Sequence, residues 1–116
     1  MSQVVSYVIQ TLQSNDAGVT ITAPGAEGYV LGRIDEATDY APDIDLSPFE
    51  ARERGVSRRH CALVQYKGDL HLVDLGSING TFINGKRIPP DSAFRVGPGD
   101  EIRLGMLNLV LLSQKT

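Results

Sequence analysis

The stretch Thr81-Phe82-Ile83-Asn84-Gly85-Lys86-Arg87-Ile88 decides the architecture. Asparagine and glycine both tolerate the positive φ of a type I′ turn, so Asn84-Gly85 predicts a two-residue hairpin joining residues 81–83 to 86–88. Short strand signals continue downstream. Pro89-Pro90 interrupts the chain, residues 93–96 resume it, Gly97-Pro98-Gly99-Asp100 turns it, and strands at 101–104 and 107–112 follow. Upstream, residues 61–66 and 70–73 flank Lys67-Gly68-Asp69, a second hairpin. Leu70, Leu72 and Asp74 share one face by the two-residue period of a strand, and because the leucines belong inside, Asp74 is expected at the rim of the core.

The N-terminal part carries the same signals more weakly. Residues 6–12 read as a strand, Asn15-Asp16-Ala17-Gly18 as a turn, 19–22 as a strand, Pro24-Gly25 as a break, and 29–31 as a strand. Residues 35–55 lack sustained periodicity; within them 43–46 reads as a short strand and 49–54 as one helical turn. Loops of that length tend to be functional. About eleven short strands with scarcely any helix predict an all-β fold, a two-sheet antiparallel β-sandwich.

Composition sets bounds on function. With 116 residues, 41% of them hydrophobic, the chain suits a single domain over residues 1–116. No segment reaches the ~18 consecutive apolar residues of a membrane span, and the N-terminus lacks the basic and apolar regions of a secretion signal. The one cysteine forms no internal disulfide. Cytoplasmic residence is the expectation that follows. A net charge of −3 argues against a general nucleic-acid binder, whose phosphate contacts need a basic face. Charge is nonetheless uneven: Arg52, Arg54, Arg58 and Arg59 crowd together, while Asp35, Glu36, Asp39, Asp43 and Asp45 lie upstream. A local basic patch on an acidic protein fits a small anionic target.

Three short motifs stand in segments that read as turns: Gly32-Arg33, Ser57-Arg58-Arg59-His60, and Asn79-Gly80-Thr81-Phe82-Ile83-Asn84-Gly85. Arginine's planar fork suits bidentate contact with a phosphate. Ser57 offers a hydroxyl and a backbone N–H, and an asparagine amide both donates and accepts, so it can bracket an extended peptide. His60, near Ser57 and Cys61, invites a catalytic reading. That reading fails here, because nucleophile and base need mutual hydrogen-bond reach and an orienting group, and adjacent residues on a strand point to opposite faces. Cys61 reads as a small core residue and His71 as a plain strand residue. Two histidines and one cysteine without ligand spacing give no metal site, and no cofactor motif is present.

In order and spacing, from Gly32 to Leu112 within a motif-bearing part at 28–112, these motifs resemble the forkhead-associated (FHA) domain family. The resemblance implies a β-sandwich that binds a phosphothreonine-containing protein or peptide and serves as an adaptor, with a serine/threonine kinase upstream. It implies no enzyme activity, nucleic acid or membrane. Arg33, Ser57 and Arg58 would contact the phosphate; Asn79, Ile78 and Ser77 would meet the peptide; Gly32, His60, Gly80 and Thr81 would be scaffold, with Gly32 letting the backbone turn tightly. Arg52 and Arg54 would favour an acidic side chain. One departure stands out. The family usually has threonine or serine before the asparagine, and Ile78 removes a charge-assisted hydrogen bond of roughly 1.5–3 kcal/mol, which Ser77, Arg54 or Arg59 could replace. The alternative function is a phosphate-independent assembly or dimerisation domain using the same sandwich.

Overall fold

The computed structural model describes residues 6–12, 18–22, 24 and 27–114. The expected turn at 15–18 and the break at Gly25 fall largely outside them. In chain order the strands are β1 (Ser6–Thr11), β2 (Gly18–Thr22), β3 (Tyr29–Gly32), β4 (Ile44–Asp45), β5 (Arg59–Tyr66), β6 (Asp69–Asp74), β7 (Thr81–Ile83), β8 (Lys86–Arg87), β9 (Ala93–Arg95), β10 (Glu101–Leu104) and β11 (Leu107–Gln114). They form two sheets, one in the order β2-β1-β11-β10-β7-β8 and the other β4-β3-β5-β6-β9. This is the sandwich that the turn signals predict.

The core follows from alternation. Leu107, Leu109 and Leu111 of β11 are fully buried while Asn108 and Val110 between them are only partly so. Ile102 and Leu104 of β10 join them from the same sheet, and Leu31, Leu63 and Leu72 close the core from the other. Each such side chain contributes about 1.5–3 kcal/mol on leaving water. Both hairpins are as expected: Lys67 and Gly68 have φ of 51° and 83°, and so do Asn84 and Gly85.

Three features differ from the sequence reading. First, β4 pairs parallel with β3, whereas the other strand ladders are antiparallel. Residues 33–43 form a wide excursion instead of a tight turn, which lets the chain return in the same direction. Second, a 3₁₀ turn at Ser47–Phe49 precedes the expected helical turn at 49–54, within which the Arg54 N–H donates to the Glu50 carbonyl at 3.0 Å. Pro48 presets φ for the start of the 3₁₀ turn, and Glu50, at φ 61°, stops it. Third, β5 begins two residues before the predicted strand, because Arg59 pairs with Gly32. No helix among the described residues is long and apolar enough to cross a membrane.

The upstream carboxylates hold the long loop in place. Asp43 accepts the Val30 N–H at 2.8 Å, and Asp45 accepts the Ser47 hydroxyl at 2.6 Å and the Ser47 N–H at 3.0 Å. They tie residues 43–47 to the edge of β3, so the arginine-bearing segment that follows starts from a fixed base.

Candidate functional site

The site begins with a bulge between β3 and β5. Pairing runs from Leu31 with Cys61 to Gly32 with Arg59, so His60 is the extra residue. A bulge re-aims side chains, and here His60 and Cys61, adjacent in sequence, are both fully buried. The rule that neighbours face opposite ways therefore fails at this point, and the case against a nucleophile rests on other facts. Burial pushes the Cys61 thiol far above its ordinary range. Both His60 ring nitrogens are occupied: Nδ1 accepts the Ser57 N–H at 3.0 Å, and Nε2 donates to the Gly80 carbonyl at 2.9 Å. That pattern requires the neutral ring, and burial accordingly lowers its pKa below 6.5.

Gly32 serves a different purpose from the one expected. A Cβ there would stand 1.8 Å from the Arg58 carbonyl oxygen, so the residue provides room between strands, not a tight turn. This close approach lets the Arg33 N–H donate to the Arg58 carbonyl at 3.2 Å, which sets the two arginines side by side.

A second polar assembly fixes the loop from Leu75 to Gly80. Asp74 is buried inside the loop that it organises. Its Oδ1 accepts the Ser77 hydroxyl at 2.5 Å and the Thr81 hydroxyl at 2.6 Å, while Oδ2 accepts the Gly76 and Ser77 N–H groups at 3.0 and 3.2 Å. Burial alone would raise this carboxyl, but these four donors outweigh it and hold the group below its ordinary value. The Ser77 hydroxyl also accepts the Gly80 N–H at 3.1 Å. Ser77 is thus a brace of the loop, and its hydroxyl proton, already given to Asp74, does not replace the hydroxyl missing at 78. Gly80 and Thr81 lie in the same framework: the Gly80 carbonyl accepts from His60 and from the Gly105 N–H, and Thr81 is fully buried.

Between these loops lies an open cavity of about 620 Å³ bordered by Arg33, Ser57, Arg58 and Ile78, together with Asp35, Tyr40, Arg52, Arg59 and Gly76. Arg33 is anchored through Nε to the Val56 carbonyl at 2.8 Å. Arg58 Nη1 donates to Asp35 Oδ2 at 2.7 Å. That hydrogen bond, reinforced by the Ala37 N–H, keeps the Asp35 carboxyl below its usual value, so it stays charged and holds the guanidinium. The Ser57 Oγ accepts the Ile78 N–H at 3.2 Å, which fixes the rotor and leaves the hydroxyl proton to donate. The Ser57 N–H, expected to face a ligand, is bound to His60 instead. Ile78 is 84% exposed at the cavity wall.

Asn79 lies beside the cavity and not on its wall. Its Nδ2 donates to the Gly55 carbonyl at 3.0 Å and couples the loop before Ser57 to the loop before Thr81. A side chain on Gly55 would meet that amide at 2.6 Å. Arg54 faces elsewhere, 3.8 Å from Glu50. Sequence reasoning missed Asp35, Tyr40 and Gly55. Asp35 opens an Asx turn through Ala37, a local signal that does not disclose its partner Arg58, 23 residues away.

The FHA domain family model matches residues 29–105. The chain belongs to the FHA domain family. Among its relatives, this FHA domain is 43% identical over 113 residues to the glycogen accumulation regulator GarA of Mycobacterium tuberculosis, covering 87% of this chain and 66% of that protein. It is 31% identical over 96 residues to the oxoglutarate dehydrogenase inhibitor of Corynebacterium diphtheriae, covering 83% and 65%. Among solved structures, Mycobacterium tuberculosis EmbR in complex with a low affinity phosphopeptide superposes with a TM-score of 0.72 at 25% identity, over 99% of this chain and 26% of that one. The chain spans from about a quarter to two thirds of the length of the curated relatives it matches.

Proposed function

We propose that this FHA domain binds phosphothreonine in a partner protein and acts as an adaptor downstream of a serine/threonine kinase, in the cytoplasm where such a kinase finds ATP. The observation that carries the reading is the meeting of Arg33, Ser57 and Arg58 at one open cavity, each positioned by a protein group. A phosphothreonine brings about −1.5 to −2 charge and three strong acceptor oxygens. Two guanidiniums held in place and one free hydroxyl proton match that demand, and little side-chain freedom is left to lose on binding. The EmbR neighbour, solved with a phosphopeptide, supports the same reading.

Threonine differs from serine by one methyl, for which an apolar contact supplies about 1–3 kcal/mol. Ile78, exposed on the cavity wall, is the apolar group on hand. The amide of Asn79, which bridges to Gly55 beside the cavity, would meet the peptide backbone.

Titrating matched phosphorylated and unphosphorylated threonine peptides by fluorescence anisotropy tests the proposal. Binding confined to the phosphorylated form is expected, and Arg33→Ala should weaken it at least tenfold, ~1.4 kcal/mol. Equal affinity for the two forms would instead favour the phosphate-independent assembly domain.

A further inference from the structure

We propose that the cleft between the end strands of the two sheets, β8 and β9, docks an extended acidic segment of a partner protein through a large apolar side chain seated in its floor. β8 ends the six-stranded sheet and β9 the five-stranded one. The chain crosses from one to the other through Pro89 and Pro90, and the open edges leave a cavity of about 350 Å³ between them. Ile83, Ile88, Pro89 and Phe94 line it with apolar surface, Lys86 and Arg95 bring charge to it, and no carboxylate borders it among the described residues. None of its lining residues borders the phosphate cavity, so the inference stands apart from the phosphothreonine reading.

The floor is core surface that the fold leaves uncovered. Phe94 stands opposite Leu72 in the ladder, and Leu72 is fully buried, so the ring is on the core face. It is nonetheless 37% exposed, because β9 has no described strand on its other side. The same edge has backbone groups free to pair. The Val96 N–H donates to the Leu70 carbonyl at 3.0 Å, and hydrogen-bonded pairs alternate along an antiparallel ladder, so Ala93 and Arg95 turn their N–H and C=O groups to the open side. An extended segment can add there as a further strand.

Charge selects the occupant. Ile83 and Lys86 are paired across the hairpin and Ile83 packs against the core, so the lysine side chain starts on the core face. It is exposed and forms no ion pair among the described residues. Arg87 contributes less, since its guanidinium stacks 5.9 Å over Phe82 on the opposite face, and Arg95 has only an exposed contact with Asp69 at 3.6 Å. An inward-pointing lysine on an edge strand opposes pairing with a second copy, because a two-fold interface brings the same cations together. A segment with Asp or Glu beside its apolar anchor cancels that charge instead.

The test uses the whole chain, isotope-labelled, and short unphosphorylated peptides on one backbone: a central phenylalanine with glutamate flanks, the same with serine or lysine flanks, and the glutamate form with a central alanine. NMR titration reads affinity and position together. The glutamate–phenylalanine peptide should bind at least about fivefold tighter than the serine, lysine or alanine forms, with shifts confined to residues 83–95 and the neighbouring β6. Lys86→Glu should remove the preference for glutamate flanks and turn it towards lysine, while a phosphothreonine peptide binds as it does to wild type. The spectrum of the variant reports its fold, and Arg95→Glu is read in the same way should Lys86→Glu unfold. No binding, or equal affinity whatever the flanks, overturns the docking site and leaves the phosphothreonine reading intact. Shifts at Arg33, Ser57 and Arg58 in place of 83–95 would make the glutamates stand-ins for phosphate and overturn it as well. A glutamate preference that survives both charge reversals overturns the assignment to these residues. Dimers of the free chain in sedimentation, with shifts at 83–95 on dilution, would give the cleft to a second copy and overturn the acidic partner.

Discussion

The two ends of β7 are built on different physics. At one end Asn84 and Gly85 make a hairpin whose requirement is local: both residues sit at positive φ, and nothing lies within 4 Å of where a Gly85 Cβ would stand. At the other end Gly80 enters a set of loops held by contacts between residues far apart in sequence. His60 bridges Ser57 to Gly80, Asp74 gathers Ser77 and Thr81, Asn79 reaches Gly55, and Arg58 reaches Asp35. Four of the five buried polar or charged residues among those described, Asp35, His60, Asp74 and Thr81, belong to this end. Buried polar groups are costly unless satisfied and directional once they are. An end built this way holds Arg33, Arg58 and the Ser57 hydroxyl in fixed positions.

The sharpest way to break the contrast is to add the same methyl at both ends. Gly32→Ala places a Cβ against the Arg58 carbonyl, where backbone and not a flexible side chain must move. A loss of more than ~3 kcal/mol is expected, from overpacking and a displaced bulge. Gly85→Ala meets open space and suffers only from its φ of 83°, so about 1 kcal/mol is expected. Melting curves for the two variants decide; similar losses would mean that the recognition end is no more constrained than an ordinary turn.

His60→Ala comes next, at about 3 kcal/mol, because it leaves the Ser57 N–H and the Gly80 carbonyl without the ring between them and opens a cavity. Stability and phosphopeptide affinity should fall together, as befits a brace. Full stability with binding abolished would place His60 on the ligand. The ring also gives a pH signature. Its folded-state pKa lies below the unfolded value near 6.5, so the unfolded chain binds the extra proton first. The contribution is fully present above pH 6.5 and is lost as pH falls from there towards the lower folded value. Denaturant midpoints measured on the acid side of 6.5 should decline in wild type, before the carboxylates titrate, and this slope should be missing in His60→Ala.

Ile78→Thr probes the position where the chain leaves the family pattern. The side chain is 84% exposed, so stability should scarcely change. A hydroxyl at the cavity wall should tighten phosphothreonine binding, by the roughly 1.5–3 kcal/mol of a charge-assisted hydrogen bond less the apolar contact given up. Comparing phosphothreonine with phosphoserine peptides separates the two terms. Erosion of the threonine preference without tighter binding would assign Ile78 to the methyl contact, and no change in either affinity would place it outside the site.

The same contrast explains what the sequence disclosed. Strands, both hairpins and the two-sheet fold were legible because the signals are local: alternating leucines in β11, and turn residues with the φ that they tolerate. Arg33, Ser57 and Arg58 were legible as a motif. Their supports were not, since a period-two reading has no means of placing an extra residue such as His60 in β5, or of pairing Asp35 with an arginine across the long loop. The bond from the Ser77 hydroxyl to Asp74 was not legible for the same reason, since the burial of Asp74 depends on how the loop closes.

Tyr40 carries the smallest expected effect and tests whether the recognition end is built for stability or for its ligand. Its ring borders the cavity, and its hydroxyl is buried with no partner among the described residues. An unsatisfied buried hydroxyl is destabilising, so Tyr40→Phe should raise stability by about 1 kcal/mol. The other buried polar side chains at this end, Asp35, His60, Asp74 and Thr81, are matched to protein partners, which makes an orphan here a candidate donor to the peptide, reached through a small shift of the wall on binding. Phosphopeptide affinity should then fall about two- to fivefold in a variant that melts higher, since hydrogen bonds of this kind are worth about 0.5–1 kcal/mol net. A higher melting temperature with unaltered affinity would make the hydroxyl a packing defect. A lower melting temperature would show that the phenol already has a partner in the folded chain, and the recognition end would then be as fully satisfied internally as the core beneath it.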